Sequence, residues 1–135
     1  MSAIVTRFPS IEVALVTELT TEFGSGYRFC SIFPENVGNL IDAGKVVTRI
    51  KRISGAARDI AIDHPIIDVD TASGDYGTSD LAARDIEAAL LSLRGKKLYI
   101  GVVQHVAVIA GPRWLVDPAP QFFRFSGSYE CFFHR

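Results

Sequence analysis

This 135-residue sequence predicts an α+β fold: a mixed, largely antiparallel sheet with two helices packed on one face and a long C-terminal β-hairpin. Three observations predict it. Two stretches repeat apolar residues at three- and four-residue steps, the period of a helix with one buried side. Five others are rich in β-branched and aromatic residues and are bounded by Gly, Pro or Asp. Strand material therefore exceeds what two helices can cover, so one sheet face must carry charge or another subunit.

Taken in order, Ser10 follows Pro9 and is placed to cap a first helix, with Glu12 near the positive end of its dipole. Ile11, Leu15, Val16, Leu19 and Phe23 form the stripe, and Gly24-Ser25-Gly26 ends it. Tyr27 to Phe33 reads as a short strand, followed by a loop holding Pro34 and Gly38. Val46 to Ile53 is the next strand, and Arg49, Lys51 and Arg52 put it at an edge or on one exposed face. After the Asp63-His64-Pro65 turn, Ile66 to Ala72 alternates Ile67, Val69 and Thr71 with Asp68 and Asp70. Ser79 is predicted to cap a second helix with Leu81, Ile86, Ala89, Leu90 and Leu93 as its stripe. Arg94 falls in its last turn, and Gly95 is its left-handed stop. Leu98 to Ala110 and Phe122 to Phe133 are long strands. In the second, Phe123, Phe125, Tyr129, Cys131 and Phe133 alternate with Arg124, Ser126, Ser128 and Glu130.

Composition narrows the class. With 48% apolar and 21% charged residues the chain reads as one globular domain spanning 1–135. A net charge of −1 gives no general attraction to nucleic acid or anionic lipid. No apolar run approaches the roughly 20 residues of a membrane-spanning helix. Arg7, Phe8 and Pro9 interrupt any signal-like apolar stretch. Cys30 and Cys131 have no metal-ligand spacing and read as buried thiols of a protein folded in a reducing compartment.

The charges are sorted along the chain. From Ala43 to Arg58 they are all basic (Lys45, Arg49, Lys51, Arg52, Arg58), and from Asp59 to Ala83 all acidic (Asp59, Asp63, Asp68, Asp70, Asp75, Asp80). Such blocks are either solvated faces or a basic and an acidic face by which copies meet head to tail.

Motifs of catalysis are sparse. Ile66-Ile67-Asp68-Val69-Asp70-Thr71 resembles the nucleophile strand of haloacid-dehalogenase-type phosphatases, where paired aspartates work beside magnesium. That family places the motif early in a longer chain, so aspartates on an exposed strand face are the simpler explanation. His64, His105 and His134 lack metal-ligand spacing, and no phosphate loop or dinucleotide fingerprint is present. No cofactor is expected.

The last quarter reads as an interaction surface. Gly111 to Tyr129 joins two strands through a proline-punctuated loop carrying Trp114, Leu115, Val116, Phe122 and Phe123. Loops in small domains are usually short and polar. Trp114 therefore either folds back on its own hairpin or, the preferred expectation, buries against a neighbouring subunit or partner.

Five pieces spread over nearly the whole chain carry a family resemblance: Arg7-Phe8-Pro9, the basic strand Val47 to Ile53, and Pro65-Ile66-Ile67-Asp68-Val69-Asp70. The others are Gly111-Pro112-Arg113-Trp114-Leu115, and Arg124-Phe125 followed by Tyr129. In register, they resemble a tail terminator (minor tail, or tail-completion) protein of long non-contractile-tailed phages. The resemblance implies a structural virion protein and no enzyme. Tail terminators form a homo-hexameric ring that caps the tail tube and stops its polymerisation. The ring joins the tail to the head-tail connector or stopper, and genomic DNA passes through its channel without specific binding. It also implies a place at the head-proximal end of the tail in the virion, assembly in the host cytoplasm, and no membrane partner. Arg49, Lys51, Arg52, Asp68, Asp70, Arg113, Trp114, Phe122 and Arg124 are then the expected subunit or partner interface. Two alternatives stay open: another neck protein, connector or stopper, and a small phosphatase-like hydrolase using Asp68 and Asp70.

Overall fold

The computed structural model describes residues 10–54, 62–98, 101–116 and 122–134. Helix α1 (Ile11–Phe23) starts where Ser10 accepts a hydrogen bond from the Val13 amide, and it stops at Gly24, whose φ of 77° suits a residue without a side chain. Strand β1 (Tyr27–Cys30) follows, then a short helix α2 (Val37–Asp42) and strand β2 (Val46–Ser54). Beyond β3 (Ile62–Asp63) and β4 (Ile66–Ser73) come α3 (Tyr76–Leu91), β5 (Lys97–Leu98), β6 (Gly101–Leu115) and β7 (Phe123–His134).

Among the described residues these strands form one seven-stranded sheet in the order β1-β2-β4-β7-β6-β5, with β3 also on β7. Only β1 and β2 run parallel; every other pairing is antiparallel. The fold is the mixed, largely antiparallel α+β arrangement, closed at its C-terminal end by the long β6–β7 hairpin. α1 and α3 both lie on one face. Ile11, Leu15 and Leu19 of α1 and Ile86 and Leu90 of α3 enter one core with Ile50, Ile67, Val69, Tyr129, Cys131 and Phe133.

Several boundaries differ from the sequence reading, each for a local reason. The loop expected around Pro34 and Gly38 contains α2, whose Ile41 packs with Val47 and Ala72 on the opposite sheet face. Strand β1 ends at Cys30 rather than Phe33, and β2 lies between two strands rather than at an edge. Asp75, not Ser79, caps α3: its carboxylate accepts from the Thr78 amide at 2.9 Å and the Thr78 hydroxyl at 3.0 Å. Ser79 is instead buried inside the helix, bonded to the Ser73 hydroxyl and donating to the Phe123 carbonyl at 2.9 Å. The buried side is accordingly Ser79, Ala82, Ala83, Ile86 and Leu90, and Leu81 faces solvent. α3 ends at Leu91, so Arg94 lies beyond it, and Gly95 (φ 81°) closes the turn that follows.

The core carries one titratable thiol with a measurable consequence. Burial, reinforced by Glu130, pushes Cys131 up to about 12 from 9.0. Burial with Glu87 raises Tyr129 as well. Both folded groups hold their protons longer than the unfolded chain does, so their contribution to stability is complete below about pH 9 and is lost as pH rises through the folded value. Stability should fall by up to about 1.4 kcal/mol per pH unit per group above that point. Urea titrations from pH 8 upward should show this decline, with a shallower slope in Cys131→Val; equal slopes would exclude the thiol as a cause.

Candidate interaction surface

Among the described residues, only α2 covers part of the sheet face opposite α1 and α3. Strand register lays its polar side chains out in rungs. One rung runs Arg49, Asp70, Ser126, Arg113 across β2, β4, β7 and β6. The next runs Lys51, Asp68, Ser128, Ala110.

Within these rungs the basic and acidic blocks meet inside the subunit. Arg49 pairs with Asp70, its direct cross-strand neighbour, and stacks its guanidinium 5.3 Å from the centre of the Phe33 ring. Arg52, on the helix-covered side, grips Asp63 through two bonds of 2.9 and 3.1 Å. Ser128 donates to Asp68 at 2.6 Å. The expectation of one basic and one acidic face is therefore corrected: antiparallel pairing of β2 with β4 interleaves opposite charges on the same face, where cross-strand attraction favours them. Copies meeting through segregated charge lose their premise, although Lys51 remains exposed.

The other expected interface residues separate into three places. Arg113 is exposed at the outer end of the first rung. Arg124 is half-buried one rung further along, and its Nε is buried with no hydrogen-bond partner. Phe122 packs with Ile41, Val47 and Ala72, on the α2 side. The structure brings Arg49 and Asp70 together, and with them Arg113 on one rung; it does not bring Phe122 to Trp114.

Trp114 is not in a loop. It lies on β6 opposite Phe125, and the strand runs on to Leu115. Pro112 is tolerated because the register shifts between Ala110 and Arg113, where a ladder hydrogen bond is not required. The indole meets Tyr76 of α3 edge-on at 5.4 Å, and Tyr76 in turn packs edge-on against Phe123 and Phe125. Trp114 thus does fold back on its own domain, yet it stays 47% exposed, with Tyr76 nearly as open. Tyr76 is the partner that sequence reasoning missed. It stands alone before the helical stripe, and only the β6–α3 contact reveals it. The connecting residues 117–121 lie outside the described residues.

The aspartates singled out for catalysis are held differently. Asp70 is buried and paired, and Asp68 accepts from Ser128, both on the flat of the sheet. Among the described residues no three His, Cys, Asp or Glu side chains are grouped to hold a metal ion. The fold does gather two histidines: His64 and His105 pack on Phe132 with ring centres 4.2 and 5.7 Å away. No helix among the described residues is long and apolar enough to cross a membrane.

No protein-family model matches this chain, and no curated protein sequence matches it. A solved structure described as "Virion of native gene transfer agent (GTA) particle" contains a chain of similar fold. The match has a TM-score of 0.58 and covers 93% of this chain and 95% of that one at 12% identity. At that identity the likeness is one of fold.

Proposed function

We propose that this protein is a structural component of a phage-like virion, and within it the tail terminator: a six-membered ring that caps the tail tube and joins it to the head-tail connector. The observation that carries the reading is the near full-length fold shared with a chain of a virion particle. The sequence resemblance supports the finer assignment. Its pieces within the described residues fall on β2, β4, β7 and β6, four consecutive strands of one sheet. The long β6–β7 hairpin favours a terminator over a connector or stopper. The work is recognition and geometry, done by the polar rungs and by the half-exposed Tyr76–Trp114 pair.

The test is assembly. Tube protein polymerised with this protein should stop at fixed length under a ring seen by electron microscopy, and virions made without it should carry tails of uncontrolled length. Trp114→Ala should weaken capping by about 2 kcal/mol, ~30-fold, since half-exposed aromatics commonly anchor interfaces. The melting of the isolated subunit should change much less. Tubes of ordinary length in the protein's absence would refute the terminator role.

A further inference from the structure

We propose that copies of this chain join through their sheet edges, β6 of one copy adding to β1 of the next, so that the sheet continues from subunit to subunit. This rests on the ring reading above and specifies its junction. Among the described residues β6 is paired on its outer side only at its start: Gly101 and Val102 face β5, and Val103 exchanges hydrogen bonds with Gly95 and Lys96. From Gln104 to Leu115 the outer backbone groups have no strand of the described residues beside them. Open edges of this length are usually defended by charge, proline or bulges. Here Pro112 and three register shifts (Val103/His105, Val108/Ala110 and Ala110/Arg113) interrupt the strand, but between them His105, Val106, Ala107 and Val108 run in unbroken register. No charged side chain occurs from Gln104 to Pro112, and Val108 and Ile109 are 44% and 55% exposed.

The receiving edge lies at the opposite end of the same sheet. Among the described residues β1 pairs only with β2, and its four residues match the four-residue regular stretch of β6. Beside it, Val13 and Val16 of α1 and Phe29 and Ile32 line a groove of about 310 Å³, with Val13 and Ile32 both exposed. A strand laid along β1 would bond its backbone and seat Val108 or Ile109 in that groove, the strand-beside-helix mode of peptide recognition. Because the two edges are different surfaces, the contact is head to tail, the kind that closes into rings when the rotation allows.

Two surface variants test this: Val108→Lys with Ile109→Lys spoils the β6 edge, and Val13→Lys with Ile32→Lys spoils the β1 side. Each should melt like the wild type by circular dichroism. In sedimentation velocity over a concentration series, the wild type should form higher species and each variant alone should stay monomeric. Mixed one to one, the variants should give a dimer and nothing larger, because that pair retains one intact junction. Variants that assemble like the wild type, or a wild type and mixture that both stay monomeric, would overturn the edge junction. The first of those results would leave the ring itself standing. Wild-type open chains of mixed length, together with the mixed dimer, would uphold the junction and remove the six-membered ring.

Discussion

Asp70→Ala should destabilise the fold by about 3 kcal/mol, seen as a lower urea midpoint with an unchanged slope. Asp70 is 3% exposed and its carboxylate accepts from the Arg49 guanidinium, whose side chain is 30% exposed. Removing one member of a buried pair typically costs about 3–5 kcal/mol because the other charge is left uncompensated. Partial access of Arg49 to water places this case at the low end. Its Nε is already buried without a partner, so it has no second acceptor to turn to. The pair itself need not be net stabilising. Arg49→Met with Asp70→Leu removes both charges and should recover most of the loss, since apolar replacement of a buried pair is often neutral or better. A single Asp70→Ala variant within about 0.5 kcal/mol of the wild type would show that the rung is solvated after all. The same comparison separates structure from assembly: a charge used only between copies would leave monomer stability unchanged.

What the sequence disclosed divides by range. α1 was legible to the residue, since Ser10, the Ile11–Leu15–Leu19 stripe and Gly24 all act within a turn or two of each other. α2 was not: six residues including Gly38 and Asn39 have little intrinsic helicity, and the helix exists because Ile41 finds Val47 and Ala72. The start of α3 was misplaced because Asp75 and Ser79 are both good caps. Alanines at 82 and 83 hide the buried side, while Leu81 imitates it. Pro112 made a strand look like a loop. The alternation of β7 was plain, as was the surplus of strand over helix.

For the candidate surface, the sequence offered residues but not their arrangement. The neighbours of Arg49, Asp70 and Trp114 come from elements distant in sequence. Arg49 and Asp70 are cross-strand partners, and Phe33 reaches Arg49 from the segment after β1. Tyr76 reaches Trp114 on β6 from helix α3. Charge sorted along a chain says nothing of how two strands will lie against each other, and here antiparallel pairing turned two blocks into mixed rungs. The edges that β1 and β6 present among the described residues were invisible for the same reason: an edge is defined by which strands fail to find a partner.

Gly127→Ala should cost about 3 kcal/mol, although alanine ordinarily suits a strand better than glycine by roughly 0.5–1 kcal/mol. Gly127 sits in β7 two residues before Tyr129, on the same side of the strand, and the tyrosine ring lies back over it. A methyl group there would stand 2.6 Å from the phenol oxygen and 3.0 and 3.1 Å from two ring carbons. The backbone is not the obstacle, since Gly127 is not among the glycines with positive φ. Nor can the ring simply swing aside. Tyr129 is fully buried in the core under α1 and α3, where burial first and Glu87 second raise its phenol pKa. Moving it costs core packing, about 1–3 kcal/mol for forced overpacking. A double-mutant cycle separates the clash from any backbone effect. In a Tyr129→Leu background, itself destabilised, adding Gly127→Ala should cost nothing or gain a few tenths of a kcal/mol from reduced unfolded-state freedom. If alanine costs the same in both backgrounds, the tyrosine is not what reserves this position for glycine.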